Sequence, residues 1–153
     1  MVEKDKRIQE ATDGCGRYVG IDVGDSRVGV SISNESKTIA FPLGIVKREN
    51  NSYGFKKLKT LLVDKKIDAF IVGLPIRSDG SIGKQGEKVI KYSESLKEYF
   101  NTEVISWDER YTTVIAQKSL IETNSKMEKR KKAVDDIAAQ IILQSYLDHI
   151  NVI

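Results

Sequence analysis

The hydrophobic pattern opens in strand form. Tyr18-Val19-Gly20-Ile21-Asp22-Val23 is rich in β-branched residues, whose side chains favour a pleated, extended backbone. Gly24-Asp25-Ser26 signals a turn. Arg27 to Ser33 then alternates, with Val28, Val30 and Ile32 on one face and Gly29, Ser31 and Ser33 on the other. A second turn at Asn34 to Lys37 leads into Thr38-Ile39-Ala40-Phe41, and the strand resumes after Pro42 through Ile45-Val46. Three consecutive strands joined by tight turns predict an antiparallel meander.

The period then lengthens. Phe55, Leu58, Leu61 and Leu62 recur at helical spacing behind a candidate N-cap at Asn51-Ser52. Asp68 to Gly73 reads as a short buried strand ended by Leu74-Pro75, and Ser78-Asp79-Gly80-Ser81 as a loop. A helix is predicted from about Gln85 to Phe100, a strand over Val104 to Trp107, and a helix capped by Thr112 or Thr113 through Leu120. Glu122 to Lys132 is a polar loop, and Ala133 to His149 an apolar closing helix. Five strands, three in a meander and two alternating with helices, predict an α/β fold with a mixed five-stranded sheet and helices packed on it. Residues 1–16 are expected to form a flexible extension, and 17–153 a single domain.

Composition narrows the class. The chain of 153 residues is long enough for one real core. It holds no apolar run of the roughly 18 residues that a membrane span needs, and its polar start has no signal-peptide pattern, so a cytoplasmic location is expected. With Cys15 its only cysteine and His149 its only histidine, a thiolate metal cluster is excluded and a zinc site built on histidines is not expected. Any metal ligands must be oxygens, which suit magnesium or manganese. The net charge of +3 permits a nucleic-acid partner without requiring one. Lys126, Lys129, Arg130, Lys131 and Lys132 crowd one polar stretch, which serves equally as a solvated face or a phosphate clamp.

Three acidic residues stand out by position. Asp22 falls at the end of the first strand, and parity puts it on the face of Gly20 and Tyr18, where small residues are expected to leave open space. Glu109 follows the strand that ends at Trp107. Strand ends are where open α/β sheets place their sites. Helical stepping from Asp135 reaches Ala138, Ala139, Ile142 and Tyr146, so Asp135 is expected to face the sheet. Asp136 shares a polar stripe with Gln140, Gln144 and Asp148 and is expected to face water. Converging carboxylates repel one another unless a cation sits among them, and a divalent pair about 4 Å apart hydrolyses phosphodiesters. A turn former, an ion-pair partner of Arg110 and a helix-start charge would explain the same three residues.

Four segments in order resemble the YqgF/RuvX-type family. They are Gly20-Ile21-Asp22-Val23-Gly24-Asp25-Ser26-Arg27-Val28-Gly29-Val30-Ser31, and Val72-Gly73-Leu74-Pro75 with Asp79-Gly80. Next come Trp107-Asp108-Glu109-Arg110-Tyr111-Thr112-Thr113 and Val134-Asp135-Asp136-Ile137-Ala138-Ala139, followed by Ile142 to Leu147. The family is associated with maturation of the 5′ end of pre-16S rRNA and also carries a Holliday junction resolvase label. The resemblance implies a ribonuclease H-like fold and a nuclease of ribosome biogenesis. It implies magnesium or manganese held by the catalytic carboxylates Asp22, Glu109 and Asp135.

On that resemblance Arg27 and Arg110, with Lys129 and Arg130 in the loop from Thr123 to Lys132, would bind substrate phosphates. Local ion pairs would equally occupy the two arginines, and a plain hairpin would equally explain the turn at Gly24. Asp79 fits a turn better than a fourth ligand, and Asp108 is placed outside the ligand set. Departures from the family pattern are the N-terminal extension, Lys84 where proline is expected, and Ser31 where alanine is common. The expected partner is nucleic acid, either precursor rRNA or branched DNA, bound by a monomer or homodimer. Two rivals remain: a non-catalytic RNA-binding assembly factor, and a sugar-kinase or actin-like ATPase, for which the chain is too short.

Overall fold

A computed structural model describes residues 16–50, 52–111 and 134–152, with side chains left out at 111 and 134–136. The meander forms as β1 (Arg17–Val23), β2 (Arg27–Ser33) and β3 (Ala40–Lys47). There follow α1 (Phe55–Leu61), β4 (Ile67–Leu74), α2 (Lys84–Phe100) and β5 (Glu103–Asp108). A 3₁₀ turn (Glu109–Tyr111) and α3 (Val134–Ile150) complete the described elements. The five strands make one sheet in the order β3-β2-β1-β4-β5. β1 pairs antiparallel with β2 and parallel with β4, and β4 pairs parallel with β5.

Strand parity divides the core in two. Val19, Ile21 and Val23, with Val28, Val30 and Ile32, pack against Leu58 of α1 and Val89, Tyr92 and Leu96 of α2. The other face, with Ile71 and Trp107, packs against Ile142, Leu143 and Leu147 of α3. Burying apolar residues on both faces accounts for the near-continuous apolar run of β4, whereas β1 buries Val19, Ile21 and Val23 on one face and carries Tyr18, Gly20 and Asp22 on the other.

Three expectations need correction. The candidate N-cap at Asn51-Ser52 is not used: Gly54 caps α1 at φ 73°, in the left-handed region, with no side-chain cap bond. A Cβ there would come 2.7 Å from Val46 Cγ1, so glycine serves both the turn and the close approach. The space expected beside Asp22 is filled at Gly20, where a Cβ would come 2.7 Å from Leu143 Cβ and 2.8 Å from the Ala139 carbonyl. The small residues admit the backbone of α3, and Ser31 Oγ donates to that carbonyl at 2.8 Å. The polar stripe of α3 does not simply face water. Gln140 is buried and donates to the Ala40 carbonyl at 3.0 Å. Gln144 accepts from Ala40 N and donates to the Thr38 carbonyl, both at 2.9 Å. The stripe thereby satisfies backbone groups where the outer strand β3 begins. The predicted extension before Gly16, the helix from Thr112 to Leu120 and the loop through Lys132 lie outside the described residues.

Candidate active site at the strand ends

β1, β4 and β5 run parallel, so their C-terminal ends share one edge of the sheet. Asp22 is the penultimate residue of β1, one step past the Ile21–Val72 pair and therefore level with Gly73. Glu109 opens the 3₁₀ turn directly after β5. Its carboxylate lies over Gly73, where a Cβ would meet Glu109 Oε1 at 2.7 Å and Ile142 Cδ1 at 2.5 Å. Asp22, Gly73 and the Glu109 carboxylate thus share the α3 face of the sheet edge.

The electrostatics follow from that convergence. Glu109 is partly buried, and burial, then the Asp22 carboxylate, then Asp108, push its carboxyl above the usual range. Desolvation and like charge both disfavour the ionised form. Two oxygen-donor groups held close at a half-buried edge fit a hard divalent cation, whose charge would remove the repulsion. Among the described residues no group of three potential ligands is assembled, and the Asp135 side chain lies outside them.

The backbone of Asp135 nevertheless approaches the same edge. Tyr146 of α3 packs on Tyr18 with ring centroids 5.9 Å apart, whereas Ala139 and Leu143 lie against Gly20. The helix therefore runs toward its N-terminus as β1 runs toward its C-terminus. From Ala139 back to Asp135 is about 6 Å of helix, and from Gly20 on to Asp22 is about 6–7 Å of strand.

The other predicted residues are placed unevenly. Arg27 is exposed at the start of β2 and makes no ion pair among the described residues. Arg110 is paired with Asp108, through Nε at 3.0 Å and Nη2 at 2.8 Å, so the local ion pair weighed from the sequence forms. Hydrogen bonds from Arg110 hold the Asp108 carboxyl below the usual range. Asp79 is exposed and accepts from Ser81 N at 2.9 Å and Ser81 Oγ at 2.6 Å, the turn role. These bonds lower its pKa. The Gly24 turn is a hairpin closed by Gly24 N donating to the Arg27 carbonyl at 2.8 Å. Lys129 and Arg130 lie outside the described residues.

Sequence reading missed the groups that fix the β1–β2 turn beside Asp22. Arg48 Nη1 donates to the Gly24 carbonyl at 2.7 Å, and Gln85 Nε2 to the Val23 carbonyl at 3.2 Å. Lys88 pairs with Asp25 at 3.3 Å. These contacts span 24 to 63 positions in sequence, so no local spacing announces them. No helix among the described residues is long and apolar enough to cross a membrane.

The sheet order, its single antiparallel flank and the helices on both faces define a ribonuclease H-like fold with carboxylates at its strand ends. Two solved structures share it. The chain aligns with Thermus thermophilus RuvC, solved in complex with Holliday junction substrate, at TM-score 0.54 and 11% identity, over 88% of this chain and 96% of that one. With the fowlpox virus Holliday junction resolvase the TM-score is 0.51 at 17% identity, covering 88% and 99%. At these identities the likeness concerns the fold.

Sequence comparison is more specific. The family model described as "RuvX: Holliday junction resolvase" matches residues 16–149, and the chain belongs to that nuclease family. A Thermoanaerobacter pseudethanolicus protein named "Putative pre-16S rRNA nuclease" is 46% identical over 86% of this chain and 96% of its own length. A Clostridioides difficile protein of the same name is 41% identical over 87% and 94%.

Proposed function

We propose that this chain is a divalent-metal-dependent nuclease that hydrolyses phosphodiester bonds at the 5′ end of pre-16S rRNA in the cytoplasm. The observation that carries the reading is the meeting of Asp22 and the partly buried Glu109 at the ends of β1 and β5. The name shared by relatives covering nearly all of the domain supports the substrate. Asp22, Glu109 and Asp135 would hold magnesium or manganese. The metal, when bound, supplies the charge that lowers the pKa of water and stabilises the leaving oxygen.

The chain's own groups do the positioning. Asp22 sits on a strand whose end is pinned by Gln85 and Arg48, so its carboxylate needs little reorganisation. Glu109 rests on Gly73, which has no side chain to displace it. Arg27 meets a substrate phosphate from the β1–β2 hairpin. Arg110 does so once it exchanges Asp108 for the phosphate, and Lys129 and Arg130 add backbone contacts.

A second reading, resolution of four-way DNA junctions, is favoured by the description of the matching family model. The test is cleavage of a labelled pre-16S 5′ leader and a labelled four-way junction, with magnesium or manganese, by wild type and Asp22→Asn. Metal-dependent cutting of the leader that disappears in the variant supports the proposal. Preferential cutting of the junction moves the function to DNA. Tight leader binding with no cutting of either substrate would leave an RNA-binding assembly factor.

A further inference from the structure

At the same sheet edge, on the face that carries α2, lies a cavity of about 260 Å³ lined by Pro75, Ile76, Arg77, Gly83, Lys84, Gln85 and Gly86. It forms where the chain leaves β4 and enters α2, and three observations bear on what it takes. Its lining holds two cationic side chains and no acidic one. Arg77 and Lys84 are exposed and make no ion pair among the described residues, so both charges are available to a ligand. The Arg77 guanidinium lies against Gly83, where a Cβ would come 2.8 Å from its Nε and 3.0 Å from Nη2. A side chain at 83 would push that group away, so the glycine seats it at the cavity.

The turn before α2 is itself built to hold this shape. Arg77 N donates to the Ser81 carbonyl at 3.0 Å, Gly80 N donates to the Arg77 carbonyl at 2.8 Å, and Asp79 is engaged by Ser81. The turn's own carboxylate, Asp79, makes no ion pair with either cation among the described residues. Gln85, also in the lining, donates to the carbonyl of Val23, the residue after Asp22. One wall of the cavity is thus bonded directly to the strand end that carries the catalytic aspartate.

The geometry points to a binding subsite for a backbone phosphate of the nucleic-acid substrate, held by Arg77 and Lys84 next to the cleavage centre. The volume is below the roughly 300–1,000 Å³ of pockets that enclose a free small molecule, which suits one group of a longer chain. Guanidinium and ammonium together neutralise a phosphodiester without reading a base. The subsite deepens the nuclease reading by giving the polymer a second anchor, so that the bond at Asp22 and Glu109 is set by distance along the backbone.

The test is equilibrium binding of the labelled pre-16S 5′ leader to the full-length chain in EDTA, between about 50 and 200 mM salt. Arg77→Ala and Lys84→Ala are measured singly and together. Lys97→Ala, with an equal loss of charge about 20 Å along the same helix, is the control. Each cavity variant is expected to make the slope of log K against log salt shallower by about 0.7–0.9, and the pair by about twice that, with Lys97→Ala unchanged. In cleavage the pair raises KM and leaves kcat in place, the signature of uniform binding.

Unchanged slopes for both cavity variants overturn the subsite, as does an equal loss with Lys97→Ala, which would mean diffuse attraction only. If the slopes shift but wild type cuts nothing, the subsite stands and the nuclease reading falls. If the slopes hold while Asp22→Asn abolishes cutting, the reverse is true.

Discussion

Replacing Gly20 with alanine probes whether the contact between β1 and α3 both stabilises the domain and sets its active site. The added Cβ would lie 2.7 Å from Leu143 Cβ and 2.8 Å from the Ala139 carbonyl, and inside the van der Waals shell of Ser31 Oγ. Ordinary contact needs roughly 3.4 Å or more, so α3 must retreat by roughly 0.6–0.7 Å. Neither the backbone carbonyl nor a Cβ can rotate away. Overpacking of this kind costs about 1–3 kcal/mol. At about 2–4 °C per kcal/mol for a chain of this size, the melting temperature should fall by about 2–12 °C. The same retreat carries the first turn of α3, and with it Asp135, away from Asp22. A misplacement of about 1 Å in a catalytic group costs on the order of a hundredfold in rate, so a loss of roughly tenfold or more in kcat is expected for this smaller shift. The assays are thermal unfolding of the metal-free protein and turnover of the labelled leader well below the new melting temperature. A Gly20→Ala protein with unchanged melting temperature and turnover would refute both the packing account and the link from α3 to the site.

Other substitutions separate stability from activity. Gly73→Ala meets only the tips of Ile142 and Glu109, so it should cost about 1 kcal/mol or less yet lower turnover by about tenfold or more through Glu109; equal turnover would sink the placement of that carboxylate. Gln140→Leu leaves the buried Ala40 carbonyl without its donor and should destabilise by about 1–3 kcal/mol in denaturant titration, with the urea slope unchanged. Glu109→Gln should stabilise the metal-free protein at neutral pH and abolish the stabilisation that magnesium or manganese confers. The sign follows from the raised pKa of Glu109: the folded state holds a proton that the unfolded chain releases first, so stability falls as pH rises from the unfolded value, about 4.3, through the folded one. Wild-type and variant stability curves should converge in acid and separate above that range; parallel curves would contradict the shift.

Much of the scaffold was legible because its signals are local. Alternation in Arg27 to Ser33 and the turn at Gly24-Asp25-Ser26 specify the first hairpin, β-branched residues mark β1, and the apolar run of β4 announces a buried strand. Asp22 and Glu109 could be chosen because each sits at a strand end, and strand ends can be read from pattern. Other features depend on partners far along the chain. Gln140 and Gln144 look solvent-facing until β3, about a hundred positions earlier, supplies the backbone groups they bind. The glycine at 20 looks like open space until α3 fills it. Arg77 and Lys84 look like ordinary surface charges until Gly83 and the turn through Ser81 gather them round one cavity.

The glycines at 20 and 73 make the division of labour physical. Both lie on the α3 face of the sheet, but one is pressed by groups of α3 that cannot rotate away, the Ala139 carbonyl and Leu143 Cβ, and the other by the ends of Ile142 and Glu109. The first sets how close the helix comes and therefore where its N-terminal turn lies. The second leaves room for a carboxylate that burial and Asp22 both disfavour as an anion. A fold selected for stability alone would gain by neutralising Glu109, since that removes the repulsion at no cost to the core. On the proposed function, retaining the carboxylate leaves Asp22 and Glu109 repelling one another until a cation joins them. Binding of a divalent cation should therefore raise the stability of this chain more than that of either Asp22→Asn or Glu109→Gln.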